Sequence, residues 1–104
     1  MSKFENQCVV VTGGASGIGE ATVRAIINEG GSVLIADLQE ERGQALVSEL
    51  GSRAAFHFTD VTREDDIVGA IALAQNEFGP LTGMVNNAGV VGAIGSIMDT
   101  SAEA

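Results

Sequence analysis

The residues best suited to chemistry in this sequence are glycines, acids and amides set at the ends of apolar runs. Val9-Val10-Val11-Thr12 leads into Gly13-Gly14-Ala15-Ser16-Gly17-Ile18-Gly19, and helix-forming residues follow at once. A β-branched run, a glycine-rich turn and a helix start leave unsatisfied backbone N–H groups and the positive end of a helix dipole at the mouth of the turn. Such a mouth receives a phosphate. The spacing is G-x3-G-x-G rather than G-x-G-x-x-G, but the physical roles can still be assigned. Gly13 permits a sharp exit from the strand, Gly17 allows close backbone approach to a pyrophosphate, and Gly19 lets helix and strand pack tightly. Ser16 adds a hydroxyl donor.

Asp37 lies 18 residues beyond Gly19, at the end of the next apolar run. An acid at the C-terminal end of a second parallel strand accepts hydrogen bonds from an adenosine ribose. A carboxylate there repels a 2′-phosphate, which favours NAD over NADP. Neither Ser16 nor Leu38, the neighbours best placed to offset that repulsion, is basic. Asp60-Val61 ends a third run, where the carboxylate could accept from an adenine amino group and the Val61 N–H could donate to a ring nitrogen. Asn86-Asn87-Ala88-Gly89 ends a fourth, with amides able to tie strand ends together and small residues able to admit a flat ring.

The other reactive types build no second site. His57 alternates with Phe56 and Phe58, so a packing or surface role is expected for it. Glu64-Asp65-Asp66 fits the first turn of a helix better than a metal cluster. The lone Cys8 excludes an internal disulfide and precedes an apolar run, as a buried, inert thiol would. No nucleophile–base pair can be assembled, and no metal site is expected.

These residues need elements to hold them. Gln7 to Thr12 reads as a strand, and Gly17 to Asn28 as a helix burying Ile18, Ala21, Ala25 and either Val23 or Ile26. Ser32 to Ala36 is a strand ending at Asp37. Gln39 to Leu50 is a helix carrying Ala45, Leu46, Val47 and Leu50. Ala54 to Phe58 is a strand, and Thr62, with Asp65 as a capping partner, opens a helix running to about Phe78 through Ile67, Ala70, Ile71 and Ala74. Leu81 to Asn86 is the fourth strand. The βαβαβαβ order with right-handed crossovers implies an α/β fold, an open parallel sheet with helices on both faces. All four candidate features then fall at the carboxyl ends of consecutive parallel strands, where open α/β sheets bind ligands. After Ala88 come a small-residue stretch, 89–96, and the onset of a helix capped at Asp99 or Thr100.

Composition agrees with such a fold and narrows its partners. The 104 residues suffice for one modest core, and 45% are apolar with only four aromatics, all Phe. A Val, Ile, Leu and Ala core suits parallel strands covered by helices. Fourteen acidic against five basic residues, a formal charge of −9, argue against nucleic acid or an anionic membrane as partner. No run of 18 apolar residues and no apolar signal core is present, so a reducing cytoplasm is the expected compartment.

Thr12-Gly13-Gly14-Ala15-Ser16-Gly17-Ile18-Gly19, Asp37, Asp60-Val61 and Asn86-Asn87-Ala88-Gly89 together resemble the short-chain dehydrogenase/reductase family, matching its T-G-x-x-x-G-x-G and N-N-A-G motifs in order. The resemblance covers nearly the whole chain. It implies a Rossmann-like sheet of strand order 3-2-1-4, with Gly13, Ser16, Gly17, Ile18 and Gly19 on the pyrophosphate and adenosine ribose of NAD. Asp37 would select NAD, with Leu38 beside it, and Asp60 and Val61 would hold adenine. Asn87, Ala88 and Gly89 would line the adenosine side, while Asn86 would stabilise the sheet. The implied reaction is hydride transfer between NAD(H) and a secondary alcohol or ketone.

The family's catalytic Ser, Tyr-x-x-x-Lys pair and Asn find no counterpart here. The chain has no tyrosine, and its single lysine is Lys3. Residues 1–104 are therefore expected to form the N-terminal, cofactor-binding part of one NAD(P)-binding domain, cut at the start of the helix after strand 4. That part would be inactive alone, with the alcohol or ketone bound only by a longer parent. Two further readings stay open at this point. One is a stand-alone nucleotide-binding module. The other is an interaction fragment that self-associates along the exposed edge of strand 81–86.

Overall fold

The computed structural model describes residues 6–15 and 17–87. The expectations for Ser16, Ala88, Gly89 and the stretch 90–104 lie outside the described residues. The elements are β1 (Cys8–Thr12), α1 (Gly17–Asn28), β2 (Ser32–Asp37), α2 (Glu40–Leu50), β3 (Ala54–Phe58), α3 (Glu64–Phe78) and β4 (Gly83–Asn86). The four strands form one parallel sheet in the order β3-β2-β1-β4. This is the Rossmann-like arrangement that the alternation of strands and helices implies.

Strand alternation sorts the core into two layers. Val9, Val11, Val33 and Ile35 project to one face, where Val23 and Ile26 of α1 and Leu46 of α2 cover them. Cys8, Val10, Leu34 and Ala36 project to the other, beneath Ala70 and Ala74 of α3. Both central strands are thus buried on both sides, which is why they read as unbroken apolar runs. Cys8 is 3% exposed, its Sγ lies 3.8 Å from the Ala74 carbonyl oxygen, and burial pushes the thiol up from its ordinary value. It is a packing residue.

Three local expectations are corrected. The buried face of α1 is Gly19, Val23 and Ile26, whereas Ala21 and Ala25 are exposed and Ile18 is 77% exposed. Val23 and Ile26 stand three apart on one face of the helix, and Ile18, five residues before Val23, falls off that face. On α2, Leu46 is buried with Gly43, and Ala45 faces outward. Helix α3 begins at Glu64, with Arg63 at the N-cap and no side-chain cap bond. Thr62 instead donates through its hydroxyl to Asp60 Oδ1, and Asp66 rather than Asp65 reaches back, accepting the Asp60 N–H at 3.0 Å.

Strand ends shift for similar reasons. β2 takes in Asp37, which pairs with Phe58 and whose carbonyl accepts the Thr59 N–H at 2.9 Å. The Asp37 side chain then accepts the Gln39 N–H, and α2 starts only at Glu40.

Gly43 shows how tightly α2 lies on β3. A Cβ built there would overlap the Phe56 ring. His57 points the other way, toward Gly69 of α3, as alternation requires. Gly43→Ala gains helix propensity of about 1 kcal/mol but displaces a ring, and overpacking costs about 1–3 kcal/mol. Urea unfolding should show Gly43→Ala as destabilising in the parent and stabilising in a Phe56→Ala background. The same sign in both backgrounds would contradict this packing.

Candidate functional site

At the carboxyl ends of the strands the sheet opens into a cleft of about 550 Å³. Gly13, Ile18 and Gly19 line it from the turn and α1, and Ala36 to Gln39 from the end of β2. Thr59 to Thr62 line it from the end of β3, and Asn87 from the end of β4. Four segments far apart in sequence therefore share one wall because the four strands are parallel and in register.

The turn is shaped by its glycines. Gly13 and Gly17 hold φ of 66° and 60°, a region that residues with a Cβ rarely adopt. A Cβ on Gly19 would overlap the Gly13 carbonyl oxygen, so α1 can follow the turn this closely only with glycine at that position. Gly19 thus packs against the turn itself. The contact with the strand behind falls to Gly14, where a Cβ would sit 3.1 Å from the Val11 carbonyl oxygen and 3.2 Å from Ile35 and Val23 methyl groups.

Hydrogen bonds anchor the turn to β2. The Gly13 N–H donates to the Ala36 carbonyl at 2.8 Å, and the Ala15 N–H donates to Asp37 Oδ2 at 3.0 Å. Asp37 is 7% exposed, and its Oδ1 accepts the Gln39 N–H at 2.9 Å. A carboxylate offers about four acceptor positions. With two used by these amides, two are left unfilled among the described residues. Ile18 and Leu38, 77% and 57% exposed, line the same cleft.

The ends of β1 and β4 are joined through Thr12, which is 1% exposed. Its hydroxyl donates to Asn86 Oδ1 at 2.9 Å and accepts the Asn87 N–H at 3.1 Å. Asn86 therefore ties the sheet together, the role its position suggests. Asn87 differs: its side-chain Nδ2 is buried and has no hydrogen-bond partner among the described residues. A buried donor without a partner is costly, so an acceptor brought by a ligand would satisfy it.

Asp60 forms the third corner. Its Oδ1 accepts from the Thr62 hydroxyl and, at 2.9 Å, from the Thr62 N–H. The Thr62 hydroxyl, then the Thr62 backbone N–H, hold the carboxyl below its usual range. Among the described residues, no group of three or more His, Cys, Asp and Glu could hold a metal ion. His57 is not part of the cleft lining, and it bonds Thr59, which is. Thr59 donates to the His57 carbonyl, so its hydroxyl accepts from His57 Nδ1 at 3.0 Å.

Sequence reasoning missed Thr12, Ala15, Gln39, Arg42, Thr59 and Thr62 as parts of this wall or its support. Gln39 and Thr62 carried a readable signal, because each stands two residues after an aspartate whose side chain can bond that N–H. Thr12 was read only as part of the T-G-x-x-x-G-x-G motif, and Arg42 carried no signal; their partners lie 74 and 27 residues away.

The sequence matches the model of the family described as short chain dehydrogenase over residues 7–104, and the chain belongs to that family. Members of the family bind nicotinamide cofactors. Tropinone reductase-like 1 of Erythroxylum coca is 39% identical over 89 residues, covering 86% of this chain and 33% of that protein. Momilactone A synthase of Oryza sativa subsp. japonica is 46% identical over 91 residues, covering 86% and 33%. Among solved structures, 3-hydroxyacyl-CoA dehydrogenase type-2 from Mycobacterium avium matches with a TM-score of 0.78 and 48% identity, covering 84% of this chain and 34% of that one. The chain thus spans about a third of the length of these relatives. Among the described residues, no helix is long and apolar enough to cross a membrane.

Replacing Thr62 by Val removes one of the two donors that lower the Asp60 pKa. NMR titration of the Asp60 carboxyl should show the pKa rising toward, but not reaching, its ordinary value of about 3.9. Because the native value is lowered, the stabilisation tied to this charge is present above about pH 4 and is lost as pH falls through the native pKa. Thr62→Val should lose it at a higher pH than the parent, and an unmoved titration would show that Thr62 does not hold Asp60.

Proposed function

We propose that this chain binds the adenosine and pyrophosphate portion of NAD, as the N-terminal part of a single NAD(P)-binding domain. The observation that carries this reading is the near-buried Asp37 carboxylate, which faces the cleft with two acceptor positions to spare, next to the turn it anchors. In this reading Gly13 and Gly17 to Gly19 receive the pyrophosphate on backbone N–H groups and the dipole of α1. Ser16, in the same turn, contributes its hydroxyl. Asp37 accepts the ribose hydroxyls, and its charge repels a 2′-phosphate. Asp60 and Val61 face the adenine, whose flat rings rest between the apolar side chains of Ile18 and Leu38. The orphaned Asn87 Nδ2 donates toward the bound adenosine, and Ala88 and Gly89 complete that side.

The fit of the group rests on this chain's own features: a glycine turn on which α1 packs too closely for a Cβ at Gly19, a buried donor unpaired among the described residues, and a carboxylate with free acceptor positions. When bound, a nicotinamide cofactor supplies a hydride acceptor or donor. The residues here bind and orient it and shield its adenosine half from water. Names such as tropinone reductase-like and hydroxyacyl-CoA dehydrogenase support interconversion of a secondary alcohol and a ketone as the reaction of the whole protein. None of the residues of this cleft is assigned a catalytic step.

Calorimetry on the full chain tests the reading. NAD and NADH should bind, and NADPH more weakly; absence of binding by NAD and NADH at millimolar concentration would end it. Asp37→Asn removes the charge and keeps one acceptor. It should weaken NAD by about tenfold, as expected for a charged hydrogen bond, and narrow the preference against NADPH. An unchanged preference would remove Asp37 from its selecting role.

A further inference from the structure

Both amide groups of Ala15 are held from outside the turn. Asp37 Oδ2 takes its N–H at 3.0 Å, and Arg42 Nε donates to its carbonyl oxygen at 2.8 Å. Ala15 is 1% exposed, so a carbonyl released by Arg42 would be left buried without that partner. Arg42 stands in the opening turn of α2. Its Nη2 also lies 3.7 Å from Oε1 of Glu20, in the first turn of α1. The other oxygen of Glu20 is taken by Arg24, whose Nε and Nη2 are both 2.9 Å away. One planar guanidinium therefore bridges α2, the glycine turn and α1, a geometry its fixed fork of donors suits and a lysine cannot copy. Arg42 is not among the residues that line the cleft. It grips the turn from behind.

We propose that Arg42 is a positioning residue for the dinucleotide: by holding the Ala15 carbonyl opposite Asp37, it keeps the glycine turn in the shape that receives the pyrophosphate. Both bonds to Ala15 are charge-assisted, which makes them strong and directional. A turn set in its binding shape beforehand loses less conformational freedom when the ligand arrives. The proposal deepens the NAD-binding reading and rests on it for the identity of the ligand. The grip on Ala15 can be tested without any ligand.

The test uses the full chain with Arg42→Met, which keeps an apolar stem, and Arg42→Lys, which restores one donor. NAD should bind roughly tenfold more weakly to Arg42→Met, with partial recovery in Arg42→Lys. Adenosine, which lacks the pyrophosphate, should bind both variants as it binds the parent. NAD affinity within about twofold of the parent in Arg42→Met would overturn the proposal. An equal loss for NAD and adenosine accompanied by a lowered Tm would overturn it too, since that marks a general structural role. If the parent binds neither ligand, the NAD reading fails by itself. Hydrogen exchange at the Ala15 amide then decides the grip: roughly tenfold faster exchange in Arg42→Met supports it, and an unchanged rate overturns it.

Discussion

The structure depends on how the backbone of one short turn is satisfied. Between Thr12 and Gly17 the chain leaves the sheet and must turn back into a helix, and buried amide groups along that path need partners. The end of β2 supplies them, through the Ala36 carbonyl and the Asp37 carboxylate. Asp37 thereby has two duties. It anchors the turn and still faces the cleft with acceptor capacity left over, so the placement of the acid and the shape of the turn are one constraint.

That constraint can be met only on a sheet whose strands end level with one another. The register Thr12↔Ala36 and Thr12↔Asn86, with Asp37↔Phe58 beyond, brings the four strand ends to one line. Thr12 then bonds Asn86 and Asn87 on one side while the turn bonds β2 on the other. Close helix packing keeps the line flat. Ala70 and Ala74 let α3 lie low on one face, and Gly43 and Gly14 leave room on the other for the Phe56 ring and the α1 contact.

Charge is arranged locally against the overall balance. A chain with a formal charge of −9 would repel a polyanion at long range. The turn lowers this obstacle with backbone N–H groups and a helix dipole, while the acids nearby are engaged. Glu20 is paired by Arg24 and Arg42, and Glu49 is held below its usual range by its hydrogen bonds to Arg24, whose own pKa is raised. Asp60 is bound by Thr62. Asp37, also in the lining of the cleft, is held by the backbone N–H groups of Ala15 and Gln39.

The order and type of every described element were legible in the sequence, because unbroken Val and Ile runs, glycine stops and helical periodicity are local signals. So were the positions of the turn, Asp37, Asp60 and Asn87, since parallel βαβ order by itself sends strand ends to one edge. The rotation of α1 was not, because alanine marks a helix face only weakly: Val23 and Ile26, of which only one was expected inside, are both buried against the sheet, and Ile18 is exposed. The start of α3 was misjudged because the Asp60 and Thr62 side chains bonded each other and not the helix end. Arg42 was invisible for a related reason: its hydrogen bond to Ala15 spans 27 residues and exists only once α2 lies beside the turn. Local periodicity and turn chemistry thus determined the elements and the edge on which the cleft lies. Which side chains grip the turn was decided by packing alone, since those partners meet only after the sheet has formed.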